Sequence, residues 1–215
     1  MKQLLQTLTV FTLLITGAFA QTITTQEFFD GMNEKFIAGA KQFGMEGAAL
    51  SMILPSDSAA TLYHGLRGTD LTIDPNRSWH AAAATNMFTA YIVMQLVNEN
   101  ELALDDNIGK YLDTKNMANI SGSITIRELL TSTSGLSEVY SAGTETFRAI
   151  WDDRATVWEP RNLIAYTPEA NPAKTFNYCN TNGYILGFLI EDVTGNTLAE
   201  EFEDRIFTPF EFSNA

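Results

Sequence analysis

Cysteine, histidine and positive charge are all scarce in this sequence. Cys179 is the only cysteine, so no disulfide can form within the chain. The two histidines, His64 and His80, match no metal-ligand spacing, and neither a metal nor another cofactor is expected. Only 13 Lys and Arg stand against 26 Asp and Glu, a formal charge of −13. Nucleic acid and anionic membrane surfaces reward the opposite sign and are poor partners; the plain role of such acidity is a well-solvated surface. After residue 20 no apolar run approaches the roughly 20 residues that a membrane-spanning helix needs. Internal repeats and low-complexity linkers are missing too.

What remains is an ordinary globular composition, with 215 residues of which 45% are hydrophobic. The first twenty, MKQLLQTLTVFTLLITGAFA, combine one lysine, an apolar run too short to span a bilayer comfortably, and Ala18-Phe19-Ala20 as a small-residue cleavage site. They read as a secretory signal peptide, residues 1–20. A single domain over residues 21–215 would then be exported to a periplasmic or extracellular compartment.

Thr24 and Glu27 are spaced as a capping box, followed by apolar residues at helical intervals, which predicts a helix to about Phe43. Ala48 to Leu54 and Thr61 to His64 predict a β-hairpin around Pro55-Ser56-Asp57. Met87, Phe88, Tyr91, Met94 and Leu96 predict a helix from about Thr85 to Asn98. Thr125 with Glu128 forms a second capping box, and Gly135 sits where that helix should stop. Residues 143–174 read as loops with short helices. Asn182 to Thr194 predicts a helix capped by Gly195, and Thr197 with Glu200 opens the next.

The order of longer motifs is familiar. F-T-A at Phe88–Ala90, L-A-L-D-D-N-I-G-K-Y-L at Leu102–Leu112, I-T-I-R-E-L-L-T-S-T-S-G-L at Ile124–Leu136, F-N-Y-C-N-T-N-G-Y-I-L-G at Phe176–Gly187 and D-V-T-G-N-T-L at Asp192–Leu198 follow one another. This series resembles the serine β-lactamase-related superfamily, closest to its class C, penicillin-binding-protein-like and esterase branches. The resemblance covers about residues 25 to 214. It implies an α+β fold of the β-lactamase/transpeptidase type, in which a helical region packs with an antiparallel sheet.

In that superfamily a nucleophilic serine opens a helix with a lysine three residues later, on the same face, where the lysine can hold or accept the serine proton. Phe88-Thr89-Ala90 fixes the register and puts the serine position at Ala83 and the lysine position at Asn86. Alanine has no oxygen to acylate, and an asparagine amide is neither a base nor a cation. Loss of the nucleophile in a serine hydrolase costs about a million-fold in turnover, roughly 8 kcal/mol of barrier. No other register rescues the motif: Lys35, Lys41, Lys110, Lys115 and Lys174 are preceded at three residues by Met32, Ala38, Asn107, Leu112 and Asn171.

The superfamily's second motif, Y-x-N, matches Tyr178-Cys179-Asn180. By resemblance Tyr178 is a proton-transfer phenol and Asn180 a substrate-positioning amide; the plainer reading is a packed, hydrogen-bonded pair at a helix entry. The third motif, K-T-G or H-x-G on a strand, normally lies downstream of the final TPFEFSNA, so an incomplete antiparallel sheet is expected. Ser132 replaces a frequent histidine before T-S-G-L. His80, Thr85 and Ser78 read as ordinary loop or helix residues rather than substitute catalysts, and Cys179 as a small buried filler. The resulting expectation is an exported, truncated pseudoenzyme of the superfamily. The alternatives are a non-catalytic binding module for peptidoglycan-like peptides or a partner protein, and a hydrolase with an unrecognised nucleophile. A peptide or acyl small molecule and a complementing chain are the candidate partners.

Overall fold

Thr24 opens the first helix by the reciprocal bonding its spacing predicts: Glu27 N–H donates to the Thr24 hydroxyl at 3.2 Å, and Thr24 N–H donates to the Glu27 carboxylate at 2.8 Å. The computed structural model describes residues 24–56, 58–65, 80–140, 145–171 and 173–212, which fall into two units, Met1–Arg77 and Ser78–Ala215. The signal-peptide reading and Ser78 lie outside the described residues.

In the first unit, helix α1 (Thr25–Gln42) is followed by an antiparallel hairpin, β1 (Ala48–Ile53) and β2 (Ala59–His64). Leu50 pairs with Leu62 and Met52 with Ala60 on one face; Ser51 and Thr61 share a hydroxyl hydrogen bond of 3.0 Å on the other. Alternate residues of each strand are half-buried and exposed, the period that a one-sided hairpin requires. Ala40 is the only fully buried residue among those described in this unit.

The second unit is helical. It contains α2 (Thr85–Asn98), α3 (Ile126–Leu130), α4 (Glu145–Asp152), α5 (Pro160–Leu163), α6 (Asn180–Thr194) and α7 (Leu198–Phe202), the last running into a wider π turn over Glu203–Phe207. Every residue from Ile185 to Ile190 is buried, so α6 is a central helix rather than an amphipathic surface one. Ile92, Val93 and Leu96 of α2 and Ile126 and Leu129 of α3 belong to the same core. Gly195 ends α6 with a left-handed φ of 77°, as expected.

Gly135 does not stop a helix. The Thr125–Glu128 box opens α3 as predicted, but α3 ends at Leu130, and Gly135 (φ 78°) instead meets a distant stretch of backbone. Asn171 N–H donates to its carbonyl at 2.6 Å, and an added Cβ would stand 2.3 Å from the Asn171 oxygen. The glycine is required by a close approach between distant loops, which sequence spacing cannot reveal.

One ionic network ties the end of the unit to α2. Buried Glu201 receives Arg205 Nε at 2.5 Å and the Asn196 amide at 2.8 Å, while Arg205 also grips Glu99 through two bonds of 2.6 and 3.1 Å. Burial raises the Glu201 pKa, but the hydrogen bonds from Asn196 and Arg205 and the arginine charge outweigh it, and the carboxyl sits below its ordinary value.

Candidate functional site

The chain enters α2 through Ala82, whose φ of 46° is left-handed and unusual for a residue with a Cβ, and then makes a short 3-10 turn over Ala82–Ala84. No side chain caps either start. Ala83 and Asn86 both line a cavity of about 910 Å³ in the second unit. Asn86 fits there because α6 carries Gly183 opposite it: a Cβ on Gly183 would lie 2.1 Å from Asn86 Oδ1.

The structure brings three of the four predicted site residues into one hydrogen-bonded chain. Asn86 Nδ2 donates to the Tyr178 hydroxyl at 2.8 Å, and that hydroxyl donates to Asn180 Oδ1 at 3.0 Å. The fourth, Ala83, contributes only a methyl group to the cavity wall. Glu138, which sequence reasoning missed, anchors the far end. Its Oε2 accepts from the Asn180 backbone N–H at 2.8 Å and from Asn180 Nδ2 at 3.1 Å, and Oε1 accepts from Tyr140 N–H at 2.9 Å. A carboxylate at the first residues of a long helix also faces the favourable end of its dipole. Because Glu138 takes both the N–H and the amide group of Asn180, it orients the Asn180 oxygen toward Tyr178.

The remaining candidates fall into structural roles. Cys179 is buried, its thiol donates to the Leu136 carbonyl at 3.3 Å, and burial pushes its pKa up, away from a reactive thiolate. Thr89 is buried and donates to the Thr85 carbonyl at 3.1 Å, while Thr85 lines the cavity. His80 is exposed and lies outside the cavity lining. Ser132 adopts a left-handed φ of 55° and its carbonyl accepts from Asn177 N–H at 2.8 Å, in the turn leading to Tyr178. Histidine, enriched at such angles, would suit the same backbone.

Chemically, the arrangement offers a phenol held between two amides beside a cavity lined in part by Ala83, Phe188 and Leu198. Tyr184 forms part of the wall, and burial, followed by the nearby Glu138 charge, raises its phenol pKa. No three His, Cys, Asp or Glu side chains among the described residues converge as metal ligands, and no described helix is long and apolar enough to cross a membrane.

The Beta-lactamase family matches residues 32–215, and the chain belongs to it. Penicillin-binding protein 4 of Amycolatopsis lactamdurans is 28% identical over 185 residues, which cover 82% of this chain and 46% of that protein. The D-aminopeptidase of Brucella ovis is 30% identical over 137 residues, 63% of this chain and 25% of that one. Among solved structures, a D-stereospecific amidohydrolase from Streptomyces sp. superposes with a TM-score of 0.67 at 28% identity, covering 83% of this chain and 54% of the other. The chain therefore spans between a quarter and just over half the length of these relatives, and it has the α+β, β-lactamase/transpeptidase-like fold, with a two-stranded antiparallel sheet among the described residues.

Proposed function

We propose that this Beta-lactamase family member is an exported protein that holds an amide or acyl ligand in the cavity beside α2 and α6 without forming a serine acyl-enzyme. The observation that carries this reading is the pairing of Ala83 and Asn86 at the cavity: a methyl group stands at the nucleophile position, and the amide at the lysine position is engaged with Tyr178. A neutral amide cannot draw a proton from a hydroxyl. The retained Tyr178–Asn180 pair supports ligand binding, because its hydroxyl and amide remain positioned by Glu138. The names of two relatives, a D-aminopeptidase and a D-stereospecific amidohydrolase, favour compounds containing D-amino acids as the ligand class.

Intact-mass analysis after exposure to a fluorophosphonate and to a reactive β-lactam tests the absence of acyl transfer. No adduct is expected under conditions that label an active relative, and a stoichiometric adduct on any hydroxyl would overturn the reading. Titration with D-amino-acid peptides tests the binding role, with affinity expected to fall in Tyr178→Ala and Asn180→Ala. Secretion of a product beginning at Gln21 would support export.

A further inference from the structure

The cavity's charge is as specific as its shape. Among the described residues that line it, three are charged: Glu159, Arg161 and Glu191. Arg161 is already engaged through one nitrogen. Its Nη2 donates to Asp192 Oδ1 at 2.5 Å, to Glu191 Oε2 at 3.3 Å and to the Phe188 carbonyl at 3.5 Å, and its guanidinium lies 4.6 Å from the centre of the Phe188 ring. Two carboxylates thus face one cation, and the cluster keeps a negative excess. Glu159 adds a second uncompensated charge. It precedes α5, its side chain makes no capping bond, and its carboxylate has no hydrogen-bond or ion-pair partner among the described residues. Ala83 and Asn86, which also line it, are neutral, and the Glu138 carboxylate is bonded to Asn180 rather than part of the lining. The rest of the lining includes Tyr140, Tyr184, Phe188 and Leu198.

We propose that this cavity selects a ligand carrying a protonated amine next to an apolar or aromatic group, with Glu159 as the residue that recognises the amine. The inference rests on the reading that the cavity binds a ligand and narrows its class. A carboxylate ligand would enter against the negative excess, whereas an ammonium gains Glu159 and the faces of the tyrosine rings, which attract cations. Aromatic and aliphatic walls accept the apolar part by simple burial.

Three probes that share a benzyl group separate the terms: D-phenylalanine amide, N-acetyl-D-phenylalanine amide and N-acetyl-D-phenylalanine, which are cationic, neutral and anionic at about pH 6. Their binding to the full chain is followed by NMR titration, which suits weak affinities. The cation is expected to bind about three- to tenfold more tightly than the neutral probe, as one partly solvated charge pair allows, and the anion most weakly. Glu159→Gln should remove most of that advantage and leave the neutral probe's affinity unchanged. Equal affinities for cation and neutral probe, or tightest binding of the anion through the remaining Arg161 N–H groups, would overturn this inference while leaving a ligand-binding cavity in place. An advantage that survives Glu159→Gln would overturn the assignment to Glu159. Failure of all three probes to bind would overturn the binding role itself.

Discussion

Helices α1 and α6 show how differently the two units use a helix. The longer α1 has 18 residues and a complete capping box but fully buries only Ala40; the 15-residue α6 has no cap from its own N-cap residue, Cys179, and buries eight residues, six of them consecutive. Capping decides where a helix begins, and burial decides what it is worth. A cap contributes about 1 kcal/mol, whereas each buried Leu or Ile side chain contributes about 1.5–3 kcal/mol. The described part of the first unit therefore relies more on local bonding, and the second on a shared core.

The sharpest way to break this comparison is to truncate a side chain in each unit. Leu189→Ala in α6 removes a fully buried group and is expected to cost about 3–5 kcal/mol in urea unfolding. Leu50→Ala on the half-buried face of β1 should cost well under half of that. Equal losses would mean that the hairpin depends on burial as heavily as α6 does.

Arg205 ranks next. Its removal in Arg205→Met leaves Glu201 buried without a cationic partner, with the neutral side chains of Asn196 and Thr194 beside it, a loss of about 2 kcal/mol when the arginine's partial exposure is allowed for. The sign of the pH dependence follows from the lowered Glu201 pKa. Its contribution is complete above the unfolded carboxyl's value of about 4.3 and is lost as pH falls through the lower folded value. Glu201→Gln should flatten part of the acid limb of the stability curve, and an unchanged limb would remove Glu201 from the account.

At about 1 kcal/mol, two of the three capping boxes separate the units by where the damage appears. Thr125→Ala should lower global stability, because α3 is part of the core and Glu128, its capping partner, also receives Lys174 Nζ at 2.7 Å. Thr24→Ala should chiefly speed amide exchange in the first turns of α1. A global loss from Thr24→Ala would show that α1 and the core unfold together.

These same features mark what could be read from sequence. All three Thr-x-x-Glu boxes, the limits of α2, the hairpin and the Gly195 cap depend on neighbours a few residues apart, and each lies where its spacing places it. The start of α6 does not: it begins at Asn180, two residues before the expected Asn182, because Glu138 from a distant loop accepts the Asn180 N–H. The role of Gly135 was hidden for the same reason, its contact being Asn171. Within the site, resemblance located Ala83, Asn86, Tyr178 and Asn180, but Glu138, Glu159 and Arg161 carry no local signal. Only folding brings a carboxylate after S-G-L onto the first residue of α6.

One substitution made twice gives the smallest stability effects and the clearest contrast. Gly39 lies inside α1, and a Cβ added there would meet nothing within 4 Å, so Gly39→Ala should stabilise by about 0.5–1 kcal/mol through helix propensity alone. Gly183→Ala gains the same propensity in α6, but its Cβ would fall 2.1 Å from Asn86 Oδ1, and the amide must swing away from Tyr178. The lost hydrogen bond costs about 1 kcal/mol, so the net change in stability should lie near zero. The site nevertheless changes: the Asn86 side-chain amide signals should shift in NMR spectra, and the Tyr178 hydroxyl loses its donor. Unchanged Asn86 signals would mean that the amide has room to spare, and that the glycine at this crossing does not set the geometry of the Asn86–Tyr178–Asn180 chain.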